Sequence, residues 1–331
     1  MSDNHESKKE EEIDFISTPS LQKALKNTKR KQTIKYVFIA VLTTTILLTI
    51  LFTGSRYILN KRLENQSSSI YEMIHGANIS FGDSSRNYNL FSVTKETTYR
   101  KSIGDRSIVW DKKTEKIPLF GRIDTIERGS GMVEVNIFNE KEKRTVRYND
   151  FNNERKIDFY YPGLSYDFLP DELDTAVGLD KNILIEVAFS FDKPMTLAEL
   201  GKQLGYENVN WLWVDTTTVA QMDRMTKELD SDRLKTKGGG GAFGFEVIQE
   251  VPFFDESGHG FIQTLEQLSK TDSHKSSIKE ALKGIKENTQ SSKGEIRFNG
   301  AVVTGTAEEL RRFQKLDFIR ASVIGATIDK Y

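Results

Sequence analysis

From Tyr36 to Ser55 the chain runs for twenty residues without a charge, YVFIAVLTTTILLTILFTGS, and thirteen of these are apolar or aromatic. As a helix rising about 1.5 Å per residue the stretch is about 30 Å long, the thickness of a bilayer's hydrocarbon core. A helix of this length in a soluble core normally shows a polar face. Here the polar residues are mostly threonines, whose hydroxyls can bond back to their own helix. The stretch therefore reads as a membrane span.

The flanks give an expected orientation. Residues 20–35 carry Lys23, Lys26, Lys29, Arg30, Lys31 and Lys35 with no acid, whereas residues 56–67 carry Arg56, Lys61 and Arg62 with Glu64. The excess of basic residues before the span favours a cytoplasmic N-terminus and an extracellular C-terminal part. A cleaved signal peptide would need an n-region of 35 residues, partly acidic, and no A-x-A-like site follows Phe52. An uncleaved signal-anchor fits better.

Five segments follow: a cytoplasmic tail (1–35), the span (36–55), a polar stalk (56–69), an exterior β-rich region (70–165) and an exterior α+β sensor or regulator domain (166–331). The exterior part is long enough to bury its own cores. In the β-rich region Val133, Val135 and Ile137 alternate toward a turn and a second strand at Thr145–Tyr148, and short strands are expected at Ile108–Trp110 and Ile117–Ile123. Alternation of this kind predicts a sheet buried on one face.

The last 160 residues contain an internal echo. Ile183–Phe191 reads as a strand, Thr196 begins a helix with Glu199 three residues on, and Val209–Asp215 is a second strand. Ile296–Thr304, Thr306 with Glu309, and Ala321–Asp329 repeat the pattern. Thr followed by Glu at this spacing is a capping box. Two strand–helix–strand units predict a split-βαβ-like α+β fold, with helices over one face of a mixed sheet. A strand is expected at Phe243–Val251, helices at Gly260–Leu268 and Ser277–Lys286, and a flexible loop at Gly238–Gly241.

Little in the chain points to catalysis. Zero cysteines exclude a disulfide framework, a thiolate metal site and a Cys nucleophile. The four histidines, His5, His75, His259 and His274, form neither HExxH nor HxH, and neither G-x-S-x-G nor a P-loop is present. Gly305 in VVTGTAEEL is explained by capping, Asp171/Glu172/Asp174 by a solvated loop, Trp211 and Trp213 by core packing, and His259 and His274 by surface positions. No enzyme, cofactor or metal is expected. With 47 Lys+Arg against 48 Asp+Glu, direct nucleic-acid binding is not expected either.

The tail carries the remaining signal. Ile13, Phe15 and Ile16 form an apolar cluster, Thr18-Pro19 is a helix start, and Leu21, Ala24 and Leu25 share one helix face. Thirty-five residues cannot bury a core of their own. Leu21, Ala24 and Leu25 can extend the membrane helix while the lysines hold anionic headgroups, and an amphipathic helix can dock on a partner; the two readings are compatible.

The order of a short tail, the basic run LQKALKNTKRK, one span, and a terminal segment GAVVTGTAEELRRFQKLDFIRASVIGATIDKY resembles the sigma-factor regulator family of Gram-positive bacteria. These are membrane-anchored anti-sigma factors with paired N- and C-terminal regulator domains. The likeness covers residues 20 to about 100 and about 170 to 328. It implies that the tail holds an extracytoplasmic-function sigma factor and releases it when the exterior, or an accessory membrane protein, reports envelope stress. A tail without Cys departs from the zinc anti-sigma type. The implied contact is then helix-in-groove burial of Ile13, Phe15, Ile16, Leu21 and Leu25, with Lys23, Lys26, Lys29 and Arg30 meeting acidic sigma surface or lipid. The competing reading is a single-pass exterior receptor for a wall polymer, peptide or accessory membrane protein, whose tail only anchors it.

Overall fold

The computed structural model describes residues 19–64, 68–129, 135–140, 144–248, 251–252, 258–271, 274–290 and 294–331. The chain divides into two compact units, Met1–Ile58 and Leu59–Tyr331. Helix α1 (Pro19–Glu64) supplies the described part of the first. It is long and apolar enough to cross a membrane. Thr43, Thr45, Thr49 and Thr53 each donate to the carbonyl four residues back, at 2.6 to 2.8 Å. Their polar groups are thereby satisfied inside the helix, as a hydrocarbon surround demands.

The second unit begins on the last turns of α1. Leu59 and Leu63 are buried against Val93, Ile117 and Leu119, so the stretch read as a polar stalk is helical as far as Glu64. A short helix α2 (Ser68–Met73) leads into an antiparallel meander of β1 (Ser80–Tyr88), β2 (Ser92–Ile103), β3 (Arg106–Pro118) and β4 (Asp124–Arg128). The strand expected at 108–110 is present, within the thirteen-residue β3, whereas the one expected at 117–123 is corrected. The second is mostly a turn, because Gly121 takes φ 98° and reverses the chain. The expected hairpin is present as β5 (Val135–Asn139) paired with β6 (Arg144–Tyr148); Met132–Glu134 lie outside the described residues.

Strand β7 (Asp158–Tyr160) and helix α3 (Leu173–Val177) precede the main sheet. Strand β8 (Ile183–Met195), α4 (Leu197–Gln203) and β9 (Val209–Val214) form the first unit of the echo. Next come α5 (Val219–Lys227), α6 (Asp232–Lys235), β10 (Thr236–Gly238), β11 (Gly244–Ile248), β12 (Val251–Pro252), α7 (His259–Thr271) and α8 (Lys275–Gln290). Strand β13 (Phe298–Thr306), α9 (Ala307–Leu310) and β14 (Ile319–Asp329) form the second. The six-stranded order is β12-β11-β9-β13-β8-β14, and every neighbouring pair is antiparallel. The expected mixed sheet is corrected accordingly. Each crossover skips one position, which the other unit fills, so β8 and β9 run parallel with β13 between them. Likewise β13 and β14 run parallel with β8 between them.

Both echoed helices begin with the expected capping boxes. Thr196 N donates to Glu199 Oε2 at 2.7 Å while Thr196 Oγ1 accepts from Glu199 N, and Thr306 with Glu309 does the same. A Cβ on Gly305 would meet Glu309 Oε2 at 2.8 Å, so the glycine makes room for the capping carboxylate. Replacing Thr196 or Thr306 by Ala should lower unfolding stability by about 1 kcal/mol each. A shift of the urea midpoint with unchanged slope checks this.

The helix-side core sets Ile185, Val187, Phe189 and Phe191 of β8 against Leu200, Leu310, Phe313, Phe261 and Ile285. The alternate residues of β8 are buried too. Ala188 joins Trp211, Trp213, Val302, Val323 and Phe159 on the opposite face. Both tryptophans are therefore core, and the Phe159 ring lies 4.8 Å from that of Trp213. The glycine run expected as a flexible loop is ordered: Gly238 ends β10, Gly239–Gly241 form one 3-10 turn, and Gly239 N donates to Ile157 O at 2.9 Å. A Cβ on Gly239 would meet Ile157 Cγ1 at 2.6 Å, so close packing rather than flexibility requires glycine.

Candidate partner-binding site

The tail residues described here lie on the first turns of α1. At 100° per residue, Leu21, Ala24 and Leu25 project from one face and Lys23, Lys26 and Arg30 from the opposite one, with Lys29 between them. Leu21 is 40% and Leu25 48% exposed, and no acid interrupts the basic set before the span. The geometry brings these two leucines together as a short apolar ridge backed by cations. Ile13, Phe15 and Ile16 lie outside the described residues.

Within the second unit the most deeply buried ion pair joins residues that no local pattern connects, Lys101 and Glu186. Glu186, in the middle of β8, is fully buried and accepts from Lys101 Nζ at 2.8 Å on each oxygen, from Asn78 Nδ2 at 2.9 Å and from Ala326 N at 3.2 Å. Burial pushes the Lys101 ammonium below its ordinary value, and the Glu186 carboxylate opposes that shift. The Lys101 ammonium also sits 4.1 Å from the centre of the Trp110 ring. The sequence signal was present: one carboxylate inside ILIEVAFSF requires a cation if both strand faces are covered.

Glu172 corrects the solvated-loop reading. Its carboxylate accepts from Arg144, from Arg155 Nη2 at 2.6 Å and from Ile324 N at 2.7 Å, and its side chain is 13% exposed. Asp171 accepts from Ser322 Oγ at 2.8 Å and Asp174 from Gln314 Nε2 at 2.7 Å. Asp158 is paired with Arg147; burial pushes its carboxyl above the usual range and the guanidinium pulls against that. His274 is exposed as expected, yet its ring stacks on Tyr71 at 4.3 Å, and Tyr71 stacks on His75 at 4.7 Å.

Two clefts open beside these pairs. One, of about 510 Å³, is lined by Arg144, Arg147, Asp158, Tyr160, Asp232 and Arg233. The other, of about 430 Å³, is lined by Tyr99, Lys113, Arg128, Arg147, Lys156 and the glycines 238–241. Their size suits small ligands, and their walls suit charged ones. Among the described residues, no three His, Asp or Glu side chains converge as a metal ion would need.

Residues 178–326 match the family described as sigma factor regulator C-terminal. No curated protein and no solved structure matches the chain. The matched segment starts just before β8 and ends within β14, so it contains both interleaved strand–helix–strand units and the helices that cover them. Residues 178–326, the segment that carries the interleaved core, are thus what this chain has in common with the sigma factor regulator C-terminal family.

Proposed function

We propose that this protein is a single-pass anti-sigma factor whose tail sequesters an extracytoplasmic-function sigma factor at the inner membrane face. The observation that carries this reading is the exposed ridge of Leu21, Ala24 and Leu25, backed by Lys23, Lys26 and Arg30, in a chain whose residues 178–326 match the sigma factor regulator C-terminal family. Six basic residues before the span against three after it support a cytoplasmic N-terminus. Each apolar anchor that becomes fully buried contributes about 1.5–3 kcal/mol, and confinement to the membrane raises the effective concentration of the pair. The exterior unit then reports an envelope signal, directly or through an accessory membrane protein, and the tail releases its partner. The chain acts by occlusion and release, without catalysis.

Replacing Phe15, Leu21 and Leu25 together by Asp should raise transcription from a sigma-dependent reporter by about tenfold or more, since losing even one anchor's burial corresponds to that change in affinity. Protein level in the membrane fraction should not change. Unchanged reporter output at normal membrane levels would contradict the reading. A second reading, an exterior receptor for a wall polymer or peptide with a purely anchoring tail, is favoured by the two charge-lined clefts. Under it, the triple substitution leaves transcription untouched.

A further inference from the structure

Two turns of the meander carry large apolar side chains into solvent. Phe91, in the β1–β2 turn, is 56% exposed, and Phe120, in the β3–β4 turn, is 77% exposed. Turn tips of soluble domains are ordinarily polar, because they lie where water reaches the backbone. The two turns are neighbours: Leu119 N donates to Phe91 O at 2.7 Å. Both are also tied to the first residues of the second unit. Arg62 donates to Pro118 O at 2.7 Å and to Gly121 O at 2.6 Å, on either side of Phe120, and Tyr88 OH donates to Asn60 Oδ1 at 2.5 Å.

Chain length then limits where these turns can be. The apolar stretch ends at Ser55, and Asn60 and Arg62 follow it by five and seven residues. Even a fully extended chain reaches only about 18–25 Å over that span, and a helical one about 8–11 Å. The polar interface of a bilayer is itself about 5–8 Å deep on each side of the hydrocarbon. Arg122, two residues after Phe120, is exposed, so this turn carries the pairing of aromatic and basic residues that membrane interfaces favour.

We propose that the β1–β2 and β3–β4 turns form a lipid-contacting surface, with Phe91 and Phe120 inserted at the headgroup boundary of the leaflet that α1 leaves and Arg122 at the lipid phosphates. This gives the second unit a membrane contact separate from its covalent anchor. It depends on α1 spanning the bilayer and is independent of which partner the tail holds.

The absence of cysteine makes the test direct, because one engineered Cys is a unique labelling position. Phe91→Cys, Phe120→Cys, and Asp83→Cys as a water-exposed control are each made in the full chain. Asp83 is suitable because its side chain is 86% exposed. The proteins are spin-labelled and reconstituted into phosphatidylcholine and phosphatidylglycerol vesicles with no other protein present. Collision with dissolved oxygen and with a water-soluble nickel chelate reports depth. At positions 91 and 120 the nickel collision rate should fall several-fold below that at 83 while the oxygen rate rises. Nickel access at 91 and 120 equal to that at 83 would overturn the proposal. So would shielding that arises only on adding a partner protein, since a protein rather than lipid would then cover the turns. Both residues are exposed, so a Cys there removes no core packing, and unchanged near-UV circular dichroism confirms the fold of each variant.

Discussion

Replacing Lys101 by Met will destabilise the 59–331 unit by about 3–5 kcal/mol, the cost of leaving one member of a buried ion pair alone. The Glu186 carboxylate would lose its charge partner while remaining fully buried, and its hydrogen bonds from Asn78 and Ala326 would not neutralise it. Gly325 shows how tightly the carboxylate is held, because a Cβ there would collide with Glu186 Oε2. The pair also links the four-stranded meander to the six-stranded sheet, Lys101 standing on β2 and Glu186 on β8. Urea unfolding of the variant should show a lower midpoint. Adding Glu186→Gln should recover part of the loss, because the amide oxygen still accepts from Ala326 N without a buried charge. A Lys101→Met protein as stable as the wild type would mean that water reaches this site.

The second large effect is a pH dependence centred on His75. Its ring lies between Tyr71, stacked at 4.7 Å, and Phe243, edge-on at 4.9 Å. Burial, then the positive charges of Lys237 and His274, lower its pKa from the ordinary 6.5 to about 4. Between those values the unfolded chain binds a proton at this position and the folded chain does not. The His75 contribution is therefore fully present above pH 6.5 and is lost as pH falls toward 4, by up to about 3 kcal/mol. His75→Phe keeps a planar ring between the same neighbours and removes the titration. The stability difference between variant and wild type should grow in the variant's favour from pH 7 to pH 4, measured as urea midpoints at each pH. Parallel pH profiles would mean that the native His75 protonates freely.

Locally encoded features were the ones legible in advance. The uncharged run from Tyr36 to Ser55 is a property of consecutive residues and survives as part of α1. Thr196 with Glu199 and Thr306 with Glu309 act over three residues, so the capping boxes and the strands flanking them were recognisable. The long-range features were not. Lys101 and Glu186 are 85 positions apart, and only the folding of the meander onto β8 turns an isolated carboxylate into a paired one. The glycine run looked flexible because its need for glycine comes from Ile157 and Arg147, which sequence does not place beside it. Glu172 looked solvated because its partners Arg144 and Arg155 belong to the earlier β-rich region. On the tail, the helical spacing of Leu21 and Leu25 is a property of nearby residues, and both side chains are exposed on α1.

The most direct test is therefore co-purification from detergent-solubilised membranes, comparing the full chain with one lacking residues 10–30. The proposed function predicts that the intact protein carries a stoichiometric sigma factor, identified by mass spectrometry, and that the deletion loses it while remaining in the membrane fraction. Retention of the same sigma factor by the deleted protein, or recovery of exterior and lipid partners alone from the intact one, would contradict it.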